Sequence, residues 1–266
     1  MSFAPASAPS VAPLSTLQPP AMLLAAGRGE RMRPLTDHCP KPLLQVQGQP
    51  LLQWHLQALA RAGVPRAVIN MGWLGAQIPA RLGPHFEQGG AVLPLVYSDE
   101  DPSGQGSALE TAGGIARALP QLAPVFWLAA GDVFAPDFTF DAGAAADFTA
   151  GDQLAHIWLV PNPEHHPRGD FGLSEGGLAL DLPADDPRPR WTYSTIALLR
   201  AELFAAPWCD IPAGNPEGTR AALGPLLRRA MAAGRVGASV YSGRWTDVGT
   251  PERLQRLNAG AADSSL

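Results

Sequence analysis

The sequence predicts an α/β protein whose central sheet is mostly parallel and flanked by helices. Short apolar runs alternate with segments of helical periodicity, which is typical of β-α-β units joined by right-handed crossovers. The first apolar run breaks into a loop that carries Gly27 and Gly29, as a buried strand does where it ends at a ligand-binding edge. The length of 266 residues suits one domain with a sizeable core.

Each element follows from a local pattern. The helix that starts at Gln49 and Pro50 carries leucines at helical spacing and ends at Gly63, and we interpret its His55 as a core or surface histidine, not a catalyst. Further strands, rich in apolar, β-branched and aromatic residues, are predicted at 21–25, 66–70, 93–98, 125–129, 156–160, 191–198 and 236–241. Further helices are predicted at 76–82, 142–150 and 221–233, from about 111, and after the N-cap Thr250. The acidic, proline-rich segment 176–189 is expected to form a hairpin or lid connection.

Composition limits the class of partner. The net charge of −5 argues against nucleic acid, so locally clustered positive charge fits a small phosphate ligand better. The two cysteines, Cys39 and Cys209, are far apart and show no disulfide or metal-ligand spacing, which is compatible with a reducing cytoplasm. Residues 1–20 are rich in Ala, Pro and Ser and are expected to form a disordered tail, not a signal peptide. No apolar run has the length of a membrane span.

The first glycine loop is expected to bind phosphate. Successive backbone N–H groups in such a loop form an anion-binding concavity, and Arg28, Arg31 and Lys41 supply cations nearby. The loop is not a P-loop, which requires Lys and Ser or Thr directly after the last glycine, and Met32 stands where a dinucleotide fingerprint needs its third glycine. On spacing alone, a surface turn with solvated charges explains the stretch equally well.

At these residues the chain resembles a known family. The pattern A-A-G-x-G-x-R-x-x-P-L-T followed by P-K-P-L, from Ala25 to Leu43, resembles the signature of sugar-1-phosphate nucleotidyltransferases. The longer similarity, over roughly 21–258, is to the N-acetylmuramate α-1-phosphate uridylyltransferase branch. The resemblance implies a Rossmann-like, GT-A-like fold with a mixed sheet and one nucleotidyltransferase domain over 21–260. Its nucleotide-binding part would span about 21–135 and its sugar-binding part about 136–250.

Two aspartates at the predicted ligand edge are implied to bind Mg²⁺. Asp132 follows the buried strand 125–129, where an unpaired carboxylate would be costly to bury and where a hard cation would find oxygen ligands. Asp247 lies in W-T-D-V-G-T-P-E, which closely resembles the family's last motif; on its own it reads as a simple turn aspartate. Ala130 stands where the family usually has Asn, so one sugar or phosphate contact is in question.

Two further segments resemble the family's substrate loops. The glycine- and serine-rich segment 101–114 ends in L-E-T-A-G-G, similar to a family L-E-T-G-G-G that holds the base and ribose, although Gly113 and Gly114 also fit a plain helix-start turn. Arg-Gly-Asp-Phe at 168–171 matches a segment that meets the sugar, and Arg168 is hypothesised to face a sugar carboxylate. The adjacent His165 and His166 would point to opposite faces of an extended segment, so we favour loop histidines that hydrogen-bond a neighbour.

The strand from Trp191 resembles T-F-S-G-I in the family, with Thr195 in place of glycine, which would narrow or shift the sugar pocket. By this resemblance Arg31 and Lys41 act as the catalytic residues and Asp132 and Asp247 as the metal ligands. The nucleotide would contact Ala26, Gly27, Gly29, Glu30, Arg31, Lys41, Ser98, Glu110 and Gly113. The sugar would contact Ala130, Gly169, Asp170 and Ser194.

The resemblance implies a Mg²⁺-dependent transfer between UTP and N-acetylmuramate α-1-phosphate in bacterial peptidoglycan recycling in the cytoplasm. The alternatives are a mannose- or heptose-phosphate guanylyltransferase, a cytidylyltransferase, or a catalytically silent sugar-nucleotide-binding regulator. The expected partners are the nucleoside triphosphate and the sugar 1-phosphate, with neither nucleic acid nor membrane. The expected oligomeric state is a monomer or weak dimer.

Overall fold

A computed structural model describes residues 18–100 and 108–263. The first 17 residues of the predicted tail, and residues 101–107 of the predicted ligand loop, lie outside the described residues.

Helices separate the parallel strands through the first part of the chain, as the sequence predicts, but the four strands between residues 155 and 200 follow one another without an α-helix. The strands are β1 Ala21–Leu24, β2 Gln45–Val46, β3 Gln49–Pro50, β4 Ala67–Met71, β5 His85–Gln88, β6 Ala91–Asp99, β7 Val125–Ala130, β8 Val133–Phe134, β9 Ala155–Val160, β10 Phe171–Leu173, β11 Ala179–Leu180, β12 Arg190–Arg200, β13 Val236–Val240 and β14 Thr246–Asp247. The helices are α1 Leu51–Arg61, α2 Gln77–Leu82, α3 Glu110–Ala118, α4 Ala142–Ala150, α5 Leu223–Ala232 and α6 Pro251–Asp263.

The central sheet is mixed and mostly parallel, which confirms the predicted fold class. Among the described residues it contains ten strands, in the order β11-β10-β12-β7-β1-β4-β6-β5, with β9 pairing β12 and β13 pairing β9. Strands β1, β4, β6, β7, β9, β10 and β13 run in one direction, and β5, β11 and β12 run against them. The carboxyl ends of β1, β4, β6 and β7 therefore meet at one edge, where ligands of such sheets bind.

Both faces of the sheet are covered, so the central strand β7 is buried along its whole length. Its side chains alternate between two apolar clusters, because successive residues of a strand point to opposite faces. Phe126 and Leu128 pack with α3 and α5, whereas Trp127 and Ala129 pack with α1. Leucines of α1 and α5 occupy the buried stripe that their helical spacing predicts.

Most predicted elements are confirmed within one or two residues, with a few corrections. Gln49 and Pro50 form β3 and precede the helix, which starts at Leu51. The hairpin of β5 and β6 was not predicted, because β5 is short and its exposed residues carry little apolar signal. Segment 176–189 contributes β11 to a hairpin with β10. None of the helices in the described ranges has the length and apolar character that a bilayer span requires.

Candidate active site

A cavity of about 740 Å³ opens at the edge where the parallel strands end. It is lined by the loop after β1, by Lys41, by the end of β7, by the start of α3, by β12 and by the start of α5. Nine of the sequence-predicted site residues line it together: Ala26, Gly27, Gly29, Glu30, Arg31, Lys41, Glu110, Ala130 and Asp132. The fold thus brings the predicted phosphate loop and the first predicted metal ligand into one cavity of substrate size.

The two glycines of the phosphate loop differ in whether the protein itself requires glycine at that position. Gly29 has φ +64°, and a Cβ there would lie 3.1 Å from Thr36 and 3.2 Å from Lys41, so the turn requires glycine. Gly27 is exposed, and a Cβ there would meet none of the described atoms within 4 Å. The protein itself therefore does not require glycine at 27, and the open space over the backbone is accessible to a ligand.

The three arginines of the first loop are not equivalent. Arg28 stacks 3.4 Å from the ring centre of Trp73 and forms an ion pair with Asp37. Arg33 also pairs with Asp37, at 2.9 Å. Arg31 is exposed, lines the cavity and has no ion pair within the described part of the chain. Arg28, which was predicted as a phosphate-binding cation, thus has two partners within the protein and is absent from the cavity lining formed by described residues.

Lys41 and Asp132 form an ion pair that sequence reasoning missed. The Lys41 ammonium lies 2.5 Å from Asp132 Oδ2, and the side chains are 11% and 40% exposed. His55 is buried in α1 and contacts the turn that carries Asp132. Its Nε2 lies 2.9 Å from the carbonyl oxygen of Val133. Burial lowers the pKa of His55 to about 4, so the imidazole is neutral at pH 7. The core assignment of His55 is confirmed.

Asp247 is brought beside Asp132 by a short antiparallel pair. Strand β14 pairs with β8, so that Asp247 faces Val133 and the Val248 N–H donates to the Asp132 carbonyl at 2.9 Å. Arg253 in α6 donates to Asp247 Oδ2 at 2.5 Å. The backbones at the two aspartates are therefore neighbours, since Asp132 directly precedes β8 and Asp247 ends β14, although Asp247 is not part of the cavity lining formed by described residues.

The second oxygen of Asp247 has an unusual environment. Oδ1 is buried and accepts no hydrogen bond from the described residues, although His165 Nε2 lies 2.8 Å away. That nitrogen also lies 2.8 Å from an Arg253 N–H, and if it accepts this proton it cannot donate to Asp247. A buried carboxylate oxygen without a hydrogen bond is costly unless a cation meets it.

These donors fit a hard divalent cation. Mg²⁺ is usually held by one or two carboxylates together with substrate phosphates and water, and it does not need a cage of protein ligands. The described residues contain no group of three or more side chains that could hold a metal ion.

Two residues of the cavity floor were not predicted. Asn70, at the end of β4, accepts from the Ala25 N–H at 2.5 Å and donates to Glu100 Oε1 at 2.5 Å. Glu100 Oε2 accepts from the Leu109 N–H at 3.0 Å. Burial raises the pKa of Glu100 above its ordinary value, although its hydrogen bonds to Leu109 and Asn70 oppose the shift. Asn70 lies near the carboxyl end of β4 and Glu100 directly follows β6, so the rule that indicated Asp132 would have found them.

The predicted base-binding residues divide into two groups. Glu110 lines the cavity at the start of α3, with a φ of +59° and an ion pair to Arg220 at 3.5 Å. Ser98 is buried in β6, and Gly113 is buried against the backbone of Thr219, with which a Cβ would collide at 2.5 Å. Neither of these two belongs to the lining that the described residues form. The close approach of chain segments explains glycine at 113 better than a helix-start turn does.

The predicted sugar-contact residues also have structural roles, Ala130 excepted. Asp170 Oδ2 accepts from the Tyr193 N–H at 2.8 Å and its Oδ1 lies 3.1 Å from His166 Nε2. Ser194 is fully buried, and its hydroxyl accepts from the Ile196 N–H. Gly169 has φ +64°. His165 and His166 do contact different aspartates, which confirms that neighbouring side chains diverge.

Four residues predicted to meet the sugar are absent from the cavity lining that the described residues form: Arg168, which is exposed, Gly169, Asp170 and Ser194. In their place, Tyr193 and Thr195 line the cavity on either side of the buried Ser194. This follows from the alternation of side chains along β12.

The chain is similar to known nucleotidyltransferases. The model of the MobA-like NTP transferase domain matches residues 21–157. The N-acetylmuramate α-1-phosphate uridylyltransferase of Neisseria meningitidis serogroup B is 43% identical over 247 residues, which cover 90% of this chain and 96% of the relative. The protein of the same name from Caulobacter vibrioides is 34% identical, over 92% of this chain and 97% of its own.

The fold is also found among solved structures. A candidate glucose-1-phosphate thymidylyltransferase from Bacillus anthracis, solved with sucrose, superposes with a TM-score of 0.71 at 21% identity. The match covers 91% of this chain and 95% of that one, and at this identity it supports the fold alone.

Proposed function

The chain belongs to the sugar-1-phosphate nucleotidyltransferases that carry a MobA-like NTP transferase domain, and from that premise we propose that it joins UTP to N-acetylmuramate α-1-phosphate. The observation that carries this choice of substrates is the 43% identity to a relative of that activity over nine-tenths of both chains. The products would be UDP-N-acetylmuramate and pyrophosphate, which places the reaction in the recycling of cell-wall sugars.

In the proposed reaction, a phosphate oxygen of the sugar 1-phosphate attacks the α-phosphorus of UTP in line. The bond from the α-phosphorus to the bridging oxygen breaks, and pyrophosphate leaves. The attacking oxygen is already anionic at neutral pH, so no general base is needed. The protein must instead align two polyanions and neutralise the charge that moves.

The chain supplies that neutralisation from one side of the cavity. Arg31 is exposed and unpaired within the described part of the chain, so its guanidinium is available to the leaving pyrophosphate. The backbone at Gly27 and Gly29 would donate N–H groups to the triphosphate. Lys41 is buried beside Asp132 and would contact the α-phosphate or the sugar phosphate, where a fixed cation is needed most.

Asp132 and Asp247 would hold Mg²⁺: the Asp132 side chain is 40% exposed, and Asp247 Oδ1 accepts no hydrogen bond when His165 Nε2 accepts from Arg253. When bound, Mg²⁺ supplies Lewis-acid stabilisation and a template for the phosphates. Arg253 holds the other oxygen of Asp247 and so orients that carboxylate. In this proposal, residues 21–135 bind the nucleotide and 136–250 bind the sugar, and the cavity is lined from both parts.

The test is pyrophosphate release from purified protein with each of four nucleoside triphosphates and a panel of sugar 1-phosphates. We expect the highest kcat/KM with UTP and N-acetylmuramate α-1-phosphate, loss of turnover in EDTA, and its recovery with Mg²⁺. Preference for GTP with mannose or heptose phosphate, or for CTP, would replace the proposed substrates. Binding of both substrates without pyrophosphate release would identify a silent regulator.

We also propose that the protein acts in the cytoplasm. Both cysteines of the described chain are free, Cys209 is buried, and a reducing compartment suits them.

A further inference from the structure

Among the described residues that line the cavity, Tyr193 is the one whose buried side-chain hydroxyl has no hydrogen-bond partner. Tyr193 lies on β12 and lines the cavity. Its Oη is buried and has no hydrogen-bond partner among the described residues. A buried hydroxyl in this condition costs free energy, because it has lost water and gained nothing in exchange. A ligand that fills the cavity would remove that cost by supplying the partner.

The surroundings of Tyr193 restrict what that partner is. The same cavity is lined by the apolar side chains of Leu24, Leu128 and Leu223. Phe171 packs against the tyrosine ring with a centroid separation of 6.4 Å. Burial raises the pKa of Tyr193 well above its ordinary value, so the phenol is neutral and can donate its proton. An uncharged acceptor with a small apolar attachment suits such surroundings better than a phosphate or a carboxylate does.

The backbone around Tyr193 is held firmly in place. Its N–H donates to Asp170 Oδ2 at 2.8 Å, and the next carbonyl, of Ser194, accepts from Trp245 Nε1 at 3.1 Å. Thr195 follows with a φ of +61°, which is unfavourable for a β-branched residue, and the pairing of β12 with β9 shifts register between Tyr193 and Ala197. Strain of this kind persists where surrounding contacts fix the conformation, and it is common at ligand sites.

We propose that the Tyr193 hydroxyl donates a hydrogen bond to the carbonyl oxygen of the N-acetyl group of the sugar substrate, and thereby selects N-acetylated sugar phosphates. The acetyl methyl group would contact the apolar lining beside it. This inference rests on the proposed function, because it takes the sugar 1-phosphate as the occupant of this side of the cavity.

The test is Tyr193→Phe, which removes a single oxygen atom, measured with three sugar 1-phosphates at saturating UTP. N-acetylmuramate and N-acetylglucosamine 1-phosphates carry the acetyl group and glucose 1-phosphate does not. We expect KM to rise about three- to tenfold for the two acetylated substrates and to change less than twofold for glucose 1-phosphate, as the loss of one hydrogen bond predicts. The KM for UTP should not change. Tyr241→Phe is the matched control, because its hydroxyl lies near the Arg244 carbonyl, away from the cavity.

Thermal melting separates this role from a structural one. Removing a hydroxyl that serves only to fill the core should keep or raise the Tm and leave every KM unchanged, and that result would overturn the proposal. An equal rise in KM for all three sugars would also overturn it, since the contact would then not be to the acetyl group. The wild-type assay tests the proposed function separately, because it does not depend on the Tyr193 variant.

Discussion

Gly114 packs against Glu100 and Asn70, which line the cavity, and replacing it with alanine tests that packing directly. A Cβ at this position would lie 2.0 Å from Glu100 Oε1 and 3.1 Å from Asn70 Nδ2. The carboxylate would have to move, although it is buried and accepts hydrogen bonds from Asn70 and Leu109. The substitution should therefore break the network that joins the phosphate loop, β4 and the start of α3.

The magnitude follows from those two bonds. Hydrogen bonds to a charged group contribute about 1.5–3 kcal/mol each, so losing both costs about 3–6 kcal/mol. Replacing a helical glycine with alanine by itself stabilises the helix by about 1 kcal/mol. We expect Gly114→Ala to lower the free energy of unfolding by about 2–5 kcal/mol, which corresponds to a fall of about 1 M or more in the urea midpoint.

Urea denaturation followed by tryptophan fluorescence measures this change. Gly224→Ala is the matched control for stability, because Gly224 is also helical and a Cβ there would meet none of the described atoms within 4 Å. The control should leave the midpoint unchanged or raise it slightly. A Gly114→Ala midpoint equal to that of the control would refute the reasoning, since Glu100 would then be able to retreat without cost.

Three further results are expected. Arg31→Ala and Lys41→Met should each lower the turnover of pyrophosphate release by about 10²- to 10³-fold. Arg31→Ala should leave the Tm unchanged, and a turnover above one-tenth of the wild-type value would contradict the catalytic role of Arg31. His55 should make the protein less stable in acid, because its folded pKa of about 4 lies below the ordinary 6.5 and the unfolded chain binds a proton that the folded chain excludes. The contribution of the neutral imidazole to the free energy of unfolding is fully present above pH 6.5 and is lost as the pH falls to 4, a loss of about 3 kcal/mol. The urea midpoint of His55→Gln should therefore fall less over that pH range than the midpoint of the wild type. Thr195→Gly should remove about 1–2 kcal/mol of left-handed strain, offset by about 0.5–1 kcal/mol of glycine entropy, and a lower urea midpoint would show that the strain is not there.

The alternation of strands and helices could be predicted because it depends on local periodicity. The same is true of the glycine loop and of Asp132, since both follow directly from where an apolar strand ends. Asp247 was harder, because as an isolated turn aspartate it has no distinguishing neighbour in sequence. Its pairing with Val133 through β14 and β8 is what gives it a place beside Asp132.

By itself, the amino-acid sequence determined the fold class and the edge of the sheet at which the ligand loops gather, because side-chain periodicity and glycine positions act over a few residues. Only the tertiary structure decided how each positive charge is held there. Arg28 contacts Trp73 and Asp37, Lys41 is held beside Asp132 in the cavity lining, and Arg31 forms an ion pair with none of the described residues. Such pairings join side chains that are distant along the chain, and their energies depend on separations and burial that exist only after the elements have packed.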